Sequence, residues 1–112
     1  MKTLLIDDFR DIKTDAVART FEGGIYELEN NGPWDVLYLD HDLGCYDKGG
    51  RELTGYDIVC WLEWHPRHRP NKVVLVSSNP AGVNRMGLAL SNLYNTVSPD
   101  CREYSNPKAG KL

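Results

Sequence analysis

The apolar positions of this chain form short uninterrupted runs that alternate with longer stretches of helical spacing. A short uninterrupted run of apolar residues predicts a strand that is covered on both faces of a sheet. The predicted strands lie at residues 3–6, 16–19, 36–39, 72–76 and 96–97. From Ser98 onward, Pro and Gly interrupt the pattern, which predicts an irregular tail.

Three stretches repeat apolar residues every three or four positions, and each begins with a good N-cap. Thr20 precedes the first helix, and Thr54 precedes the second, where Asp57 completes a capping box. Asn79 precedes the third helix and is followed by a proline at the first helical position. Residues 45–53 contain two adjacent glycines and predict a mobile loop that could act as a lid.

Strands that alternate with helices predict an α/β fold with right-handed crossovers. We expect a single small three-layer α/β/α domain of the flavodoxin-like, receiver-like type, with a mainly parallel sheet of about four to five strands. The 112 residues are enough for one domain. We expect its core at about residues 3–97 and an irregular C-terminal tail at residues 98–112.

Composition limits the function classes. The net charge of −3 argues against non-specific DNA binding and against a role on a membrane surface. No apolar run approaches the roughly 18 residues that span a bilayer, so no membrane association is expected. The three cysteines are widely spaced and lack a Cys-x-x-Cys pair, which is typical of a reduced, cytoplasmic protein.

Paired carboxylates follow two of the predicted strands. Asp7 and Asp8 come after the first strand, and Asp40 and Asp42 flank a histidine after the central one. Ligands of open parallel sheets bind beyond the carboxyl ends of the strands, where these side chains meet. Carboxylate oxygens with open positions for water suit Mg²⁺ or Mn²⁺. We predict Asp7, Asp8 and Asp40 as metal ligands, with Asp42 as a direct or water-mediated partner.

Groups of the opposite polarity follow the valine-rich strand. The hydroxyls of Ser77 and Ser78, together with Asn79 and the free N–H groups of the next helix, predict a phosphate site. Taken alone, the same residues are simply a good helix entry. Arg10 could swing over a bound phosphate, or it could pair with the nearby carboxylates Asp7 and Asp8.

His41 lies between two aspartates, which suits a general acid. In an extended turn its ring would point away from both carboxylates and could instead support the sheet edge. Both roles stay open from the sequence. The predicted catalytic group is Asp40, His41 and Asp42.

The residues Leu-Ile-Asp-Asp at 5–8, the central Asp40 and a hydroxyl residue after the valine strand resemble a response-regulator receiver domain. In receivers the acidic pair and the central aspartate hold Mg²⁺, and that aspartate accepts phosphate. A receiver also has an essential lysine at the end of its last strand. No lysine ends a clear strand at the corresponding place here, which counts against a working phosphorelay.

Four ordered motifs are more similar to the cyclic-phosphate processing receiver domains. They are Asp-Asp-Phe-Arg at 7–10, Asp-His-Asp-Leu-Gly at 40–44, Thr-Gly-Tyr at 54–56 and Ser-Ser-Asn-Pro-Ala-Gly at 77–82. The resemblance implies action on cyclic phosphates, either RNA 2′,3′-cyclic ends or cyclic-nucleotide signals. Relatives often carry a histidine where this chain has Val76, so turnover here would depend on His41.

The resulting hypothesis is a metal-dependent, phosphoesterase-like receiver domain that processes or binds a cyclic phosphate. Its partner would be a phosphorylated small molecule or an RNA end, and its cofactor Mg²⁺ or Mn²⁺. One alternative is a catalytically degenerate phospho-acceptor that acts as a protein-interaction switch. Another is a nucleotide-binding sequestration module without chemistry.

Overall fold

The computed structural model describes residues 1–106, which form three α-helices, a six-stranded sheet and a separate two-stranded hairpin. The strands are β1 (Thr3–Ile6), β2 (Ala16–Ala18), β3 (Val36–Leu39), β4 (Cys45–Tyr46), β5 (Glu52–Leu53), β6 (Lys72–Leu75), β7 (Thr96–Val97) and β8 (Glu103–Ser105). The helices are α1 (Phe21–Asn30), α2 (Gly55–Trp64) and α3 (Pro80–Leu90), and a 3₁₀ turn follows α2 at Pro66–His68. None of these helices is long and apolar enough to cross a membrane.

The large sheet has the strand order β2-β1-β3-β6-β8-β7. The first four of these strands are parallel, and β8 is antiparallel to both of its neighbours. The predicted α/β fold with a flavodoxin-like, mainly parallel sheet is confirmed. The sheet has six strands rather than four to five, because β7 and β8 extend it past β6.

The prediction of an irregular tail from Ser98 is wrong for Glu103–Ser105, which forms β8. Val73 pairs with Tyr104 across the β6–β8 ladder, and Tyr104 is buried in the core. Three residues with one buried side chain give too short a pattern to indicate a strand, and long-range pairing with β6 supplies the missing stabilisation. Residues 107–112 of the predicted tail lie outside the described residues.

All three helices pack side by side on one face of the sheet, since α1 contacts α2 and α2 contacts α3. Right-handed crossovers that all advance in the same direction across the sheet produce this arrangement. The strand residues in the core beneath them are Leu4, Ile6, Leu37, Leu39, Val73, Leu75 and Tyr104. Because β1 runs to β2 through an irregular connection, residues 1–106 contribute no second helical layer on the opposite face.

The helix starts are where the sequence predicts them. The Thr20 hydroxyl accepts a hydrogen bond from the Gly23 amide, and Thr54 and Asp57 form the capping box. Asn79 Oδ1 accepts a hydrogen bond from the Gly82 amide at 3.1 Å. These caps fix the ends of the connections that precede the helices, and two of those connections carry the predicted site.

Residues 45–53, predicted as a loop, form the two short strands of the hairpin β4–β5. Asp47 organises its turn, because Asp47 Oδ1 accepts hydrogen bonds from the amides of Gly49 and Arg51, each at 2.9 Å. Arg51 then reaches Asp57 of α2 at 3.1 Å. These contacts attach the hairpin to the start of α2.

Tyr94 provides a direct test of the packing. Its hydroxyl donates a hydrogen bond to the Pro70 carbonyl at 2.6 Å, and burial raises the pKa of this phenol. Tyr94→Phe leaves that buried carbonyl without its donor, so we expect a loss of about 1–2 kcal/mol in the free energy of unfolding. Urea unfolding measures it, with Tyr26→Phe on the exposed face of α1 as the control. Equal losses in the two variants would contradict the stabilising role of the Tyr94 hydroxyl.

Candidate functional site

The ends of β1 and β3 hold two carboxylates side by side. The Asp7 amide donates to the Ala18 carbonyl at 3.1 Å, and the Asp40 amide donates to the Ile6 carbonyl at 3.0 Å. The sheet ladder therefore continues to both aspartates and fixes their backbone. A side chain at such a position is placed more accurately than one on a free loop.

Asp7, Asp8 and Asp40 form one cluster. Each offers a carboxylate oxygen, and the three oxygens lie within 4.8 Å of one another. Asp7 and Asp40 are buried, at 1% and 7% exposure, whereas Asp8 is exposed. Gly44 adopts φ +62°, the left-handed region that favours glycine, so that the turn after Asp40 passes close to Asp8.

Arg10 pairs with two carboxylates of this cluster. Its Nη1 is 2.6 Å from Asp7 Oδ2 and 3.8 Å from Asp40 Oδ1. Asp7 Oδ1 also accepts hydrogen bonds from the amides of Phe9 and Arg10, each at 2.9 Å. Burial raises the pKa of Asp7, but these amides and the guanidinium more than offset it, so the pKa lies below the usual aspartate value. Of the two roles left open for Arg10, the structure has the pairing with the carboxylates.

The pKa of Asp40 is shifted in the opposite direction from that of Asp7. Burial raises its pKa, and the neighbouring charge of Asp7 raises it further. The Ser77 hydroxyl, the His41 amide at 2.8 Å and Arg10 offset only part of this effect. The pKa of Asp40 is therefore above the usual aspartate value, and a cation at this point would relieve the repulsion.

The donor set fits a hard divalent cation. It consists only of carboxylate oxygens, which Mg²⁺ and Mn²⁺ prefer. Two oxygens bound to one Mg²⁺ at about 2.1 Å lie at most about 4.2 Å apart. The three carboxylate oxygens, which lie within 4.8 Å of one another, would therefore have to move only slightly closer together to bind such an ion.

The turn after β3 holds His41 firmly. Its Nδ1 lies 2.9 Å from Asp42 Oδ1, so the turn is not extended and the ring faces Asp42. The ring also packs on Gly82 of α3, where an added Cβ would lie only 2.4 Å from the His41 Cγ. Asn79 Nδ2 lies 3.5 Å from His41 Nδ1 and 3.4 Å from Asp42 Oδ1. Among residues 1–106, Nε2 has no hydrogen-bond partner.

The end of β6 brings the hydroxyl residues to the same edge. Ser77 is buried, and its Oγ accepts a hydrogen bond from the Asn79 amide at 3.0 Å. Ser78 is exposed, and its hydroxyl makes no hydrogen bond within the described range. Asn79 connects this segment to the His41–Asp42 turn, so the two strand ends form one continuous polar surface.

Arg102 lies beside the candidate site, and the sequence analysis did not predict it. It precedes β8, and its Nη1 donates to the Ser77 carbonyl at 2.6 Å and to the Leu75 carbonyl at 3.4 Å. Arg102 thus supports the end of β6 from the neighbouring strand. Ser98-Pro99-Asp100 is a turn signal that could have indicated a hairpin, and with it the position of Arg102.

The four motifs that suggested a family now lie on one edge of a receiver-like sheet. The family model described as the cyclic-phosphate processing receiver domain matches residues 2–92, from β1 through the end of α3. The chain belongs to this family. The family is associated with cyclic-phosphate processing. Neither the curated proteins nor the solved structures include a significant match to the chain.

This cyclic-phosphate processing receiver domain brings its predicted site residues together in two groups. Asp7, Asp8, Asp40 and Arg10 form the first group. The second links His41 and Asp42 to the Ser77–Asn79 helix entry through Asn79, and the Ser77 hydroxyl joins it to Asp40. The receiver domain therefore has an acidic cluster and a hydroxyl-lined helix start at the same strand ends.

Proposed function

We propose that this domain binds a cyclic phosphate together with Mg²⁺ or Mn²⁺ and opens the ring by hydrolysis. The observation that carries the proposal is the convergence of three carboxylates and a hydroxyl-lined helix entry at adjacent strand ends. Neither feature alone would define a phosphate site, because carboxylates repel phosphate and a helix start binds many anions. Together they match a ligand that is negative and also coordinates a cation.

Asp7, Asp8 and Asp40 would hold the cation. When bound, it neutralises phosphate charge and polarises the phosphorus–oxygen bonds. Arg10 occupies part of this space and neutralises Asp7 and Asp40. We propose that Arg10 turns toward the phosphate when a cation replaces it, since its side chain is partly exposed and long enough to reorient.

The non-bridging phosphate oxygens would lie at the start of α3. Ser78 offers an exposed hydroxyl, and the helix adds the free amides and positive end of its dipole. Ser77 and Asn79 set the conformation of this entry by their mutual hydrogen bond. In the proposal, Ser77, Ser78, Asn79 and Arg10 form the phosphate-binding side of the site.

His41 would protonate the leaving oxygen. Asp42 holds Nδ1, which leaves Nε2 free to carry the proton toward the ligand, as in other carboxylate-oriented histidines. A water oxygen forms the new bond to phosphorus while one ring phosphorus–oxygen bond breaks. The leaving oxygen receives the proton from His41, and the proton of the water passes to solvent, from which His41 recovers one. The sum is one cyclic phosphate plus one water giving one phosphomonoester.

The apparent Mg²⁺ affinity should fall as the pH decreases. The pKa of Asp40 is raised, so its proton competes with the metal at pH values above the ordinary aspartate value of 3.8. Asp7, with its lowered pKa, stays ionised to lower pH. One competing proton predicts a loss of about tenfold per pH unit once the pH is below the Asp40 pKa. Calorimetric Mg²⁺ titrations at several pH values measure this, and a constant affinity down to pH 3.8 would contradict it.

The proposal is tested with 2′,3′-cyclic and 3′,5′-cyclic nucleotides in Mg²⁺ and in EDTA, by thermal shift and product chromatography. A phosphomonoester product that requires Mg²⁺ supports hydrolysis. Thermal stabilisation without product supports a binding module instead. A hydroxylamine-labile adduct at Asp40 after acetyl phosphate treatment would support the phospho-acceptor switch. No product and no stabilisation with any compound would refute the proposed function.

A further inference from the structure

A cleft of about 270 Å³ opens beside the His41 turn. Its walls come from the β4–β5 hairpin, the start of α2 and the outer side of α3. His41 lines this cleft and also contacts Asp42, so the cleft adjoins the predicted catalytic turn. The metal and phosphate residues do not line it, and the proposed function leaves it without a role.

The cleft contains a flat cationic platform. The Arg85 guanidinium carbon lies 4.0 Å from the centre of the Tyr56 ring, which is cation–π distance. Arg85 is exposed and has no carboxylate partner among residues 1–106. Arg51, the other arginine of the cleft, is by contrast paired with Asp47 and Asp57.

The charges of the cleft favour an uncharged polar group over a second phosphate. Two arginines, Arg51 and Arg85, are balanced by two acidic residues, Glu52 and Asp57. The acidic groups would repel an additional phosphate, whereas their oxygens can accept hydrogen bonds from exocyclic amino groups. A planar guanidinium above an aromatic ring presents a surface on which a nucleobase stacks.

We infer that this cleft binds the nucleobase of the cyclic phosphate ligand, with Arg85 and Tyr56 as the specificity-determining platform. The inference rests on the proposed function and adds to it a subsite for the base, which only a nucleotide or an RNA end carries. The phosphate lies at the strand ends, the ribose passes His41, and the base stacks on Arg85. A cyclic phosphate without a base would occupy only the phosphate-binding part of the site at the strand ends and would leave the cleft empty.

Two ligands separate the inference from the proposed function. A nucleoside 2′,3′-cyclic monophosphate carries a base, whereas glycerol 1,2-cyclic phosphate has the same five-membered ring without one. Both are titrated by calorimetry in Mg²⁺ against Arg85→Ala, Arg85→Lys, Arg67→Ala and their parent, all carrying His41→Gln, which removes the proposed proton donor and so prevents hydrolysis during the titration. Arg67 is an exposed arginine on the 3₁₀ turn after α2 and serves as the matched control.

We expect Arg85→Ala to weaken nucleotide binding about tenfold and to leave glycerol cyclic phosphate binding unchanged. Arg85→Lys should lose nearly as much, because lysine keeps the charge but not the plane. Arg67→Ala should change neither affinity. Equal weakening of both ligands, full rescue by lysine or no effect of Arg85→Ala would overturn the inference while the proposed function stands. If the parent protein binds neither ligand, both the inference and the proposed function are refuted.

Discussion

Asp40→Asn is expected to abolish Mg²⁺ binding and turnover while it stabilises the metal-free protein. The amide keeps the size of the side chain and can still accept the hydrogen bond from the His41 amide. It removes the charge that burial and Asp7 disfavour, so the metal-free form should melt at a higher temperature. Removing a residue that only hydrogen-bonds to a metal ligand lowers metal affinity or activity by about 10–100-fold. For loss of a ligand itself we therefore expect Mg²⁺ affinity and activity to fall by at least about 100-fold.

Two measurements on one variant therefore move in opposite directions. Thermal melts in EDTA give the metal-free stability, and melts with added Mg²⁺ give the stabilisation by metal. Asp11→Asn is the matched control, because Asp11 follows Arg10 in the β1–β2 connection, its side chain is 93% exposed, and among residues 1–106 it pairs only with Arg19. Unchanged Mg²⁺ stabilisation in Asp40→Asn would rule out Asp40 as a ligand. If Asp40→Asn instead lowered the melting temperature of the metal-free protein, the ionised Asp40 carboxylate would not be destabilising the fold.

His41→Gln is expected to lower the rate of hydrolysis by about 10²–10⁴-fold with little change in Mg²⁺ affinity. Glutamine retains a polar side chain but cannot transfer a proton at neutral pH. The metal cluster does not include His41, and the Asp40 amide is fixed by its hydrogen bond to the Ile6 carbonyl in the sheet. Single-turnover product formation and Mg²⁺ calorimetry on the same preparation separate the two effects.

The same variant distinguishes the two roles that the sequence left open for His41. If the ring only supports the turn, the free energy of unfolding, the Mg²⁺ affinity and the rate should fall together. His65→Gln is the control, because His65 is also half-buried and bonded through Nδ1, to the Trp61 carbonyl at 2.7 Å. It lies at the far end of α2 and should affect stability but not chemistry.

The sequence predicts that the candidate site residues lie at one edge of the sheet, because the helix starts and strand ends depend on local signals. Capping residues such as Thr54 and Asn79 act on amides two or three positions away, so the helix starts follow from a few letters. The strand ends follow from the change from apolar to acidic residues at Asp7 and Asp40. Once the strands are parallel, their ends must meet at one edge.

The features that the sequence analysis missed or left open concern contacts between distant or weakly patterned segments. In the hairpin at residues 45–53 the Asp47 side chain accepts hydrogen bonds from two amides of the turn, which composition alone does not show. The strand β8 depends on pairing with β6, about 30 residues earlier in the chain. Arg102 reaches the site edge only through that pairing, and the partner of Arg10 required the geometry of two strand ends.

The most direct test of the account is calorimetric titration of the His41→Gln variant, which should hydrolyse the ligand too slowly to disturb the binding heats, with a nucleoside 2′,3′-cyclic monophosphate in Mg²⁺ and in EDTA. A phosphate held between the metal cluster and the α3 start must be coupled to the metal, and that coupling is reciprocal. We predict one-to-one binding that is at least about tenfold tighter in Mg²⁺ than in EDTA, with Mg²⁺ bound correspondingly tighter in the presence of the nucleotide. Equal affinity in Mg²⁺ and EDTA would contradict the account.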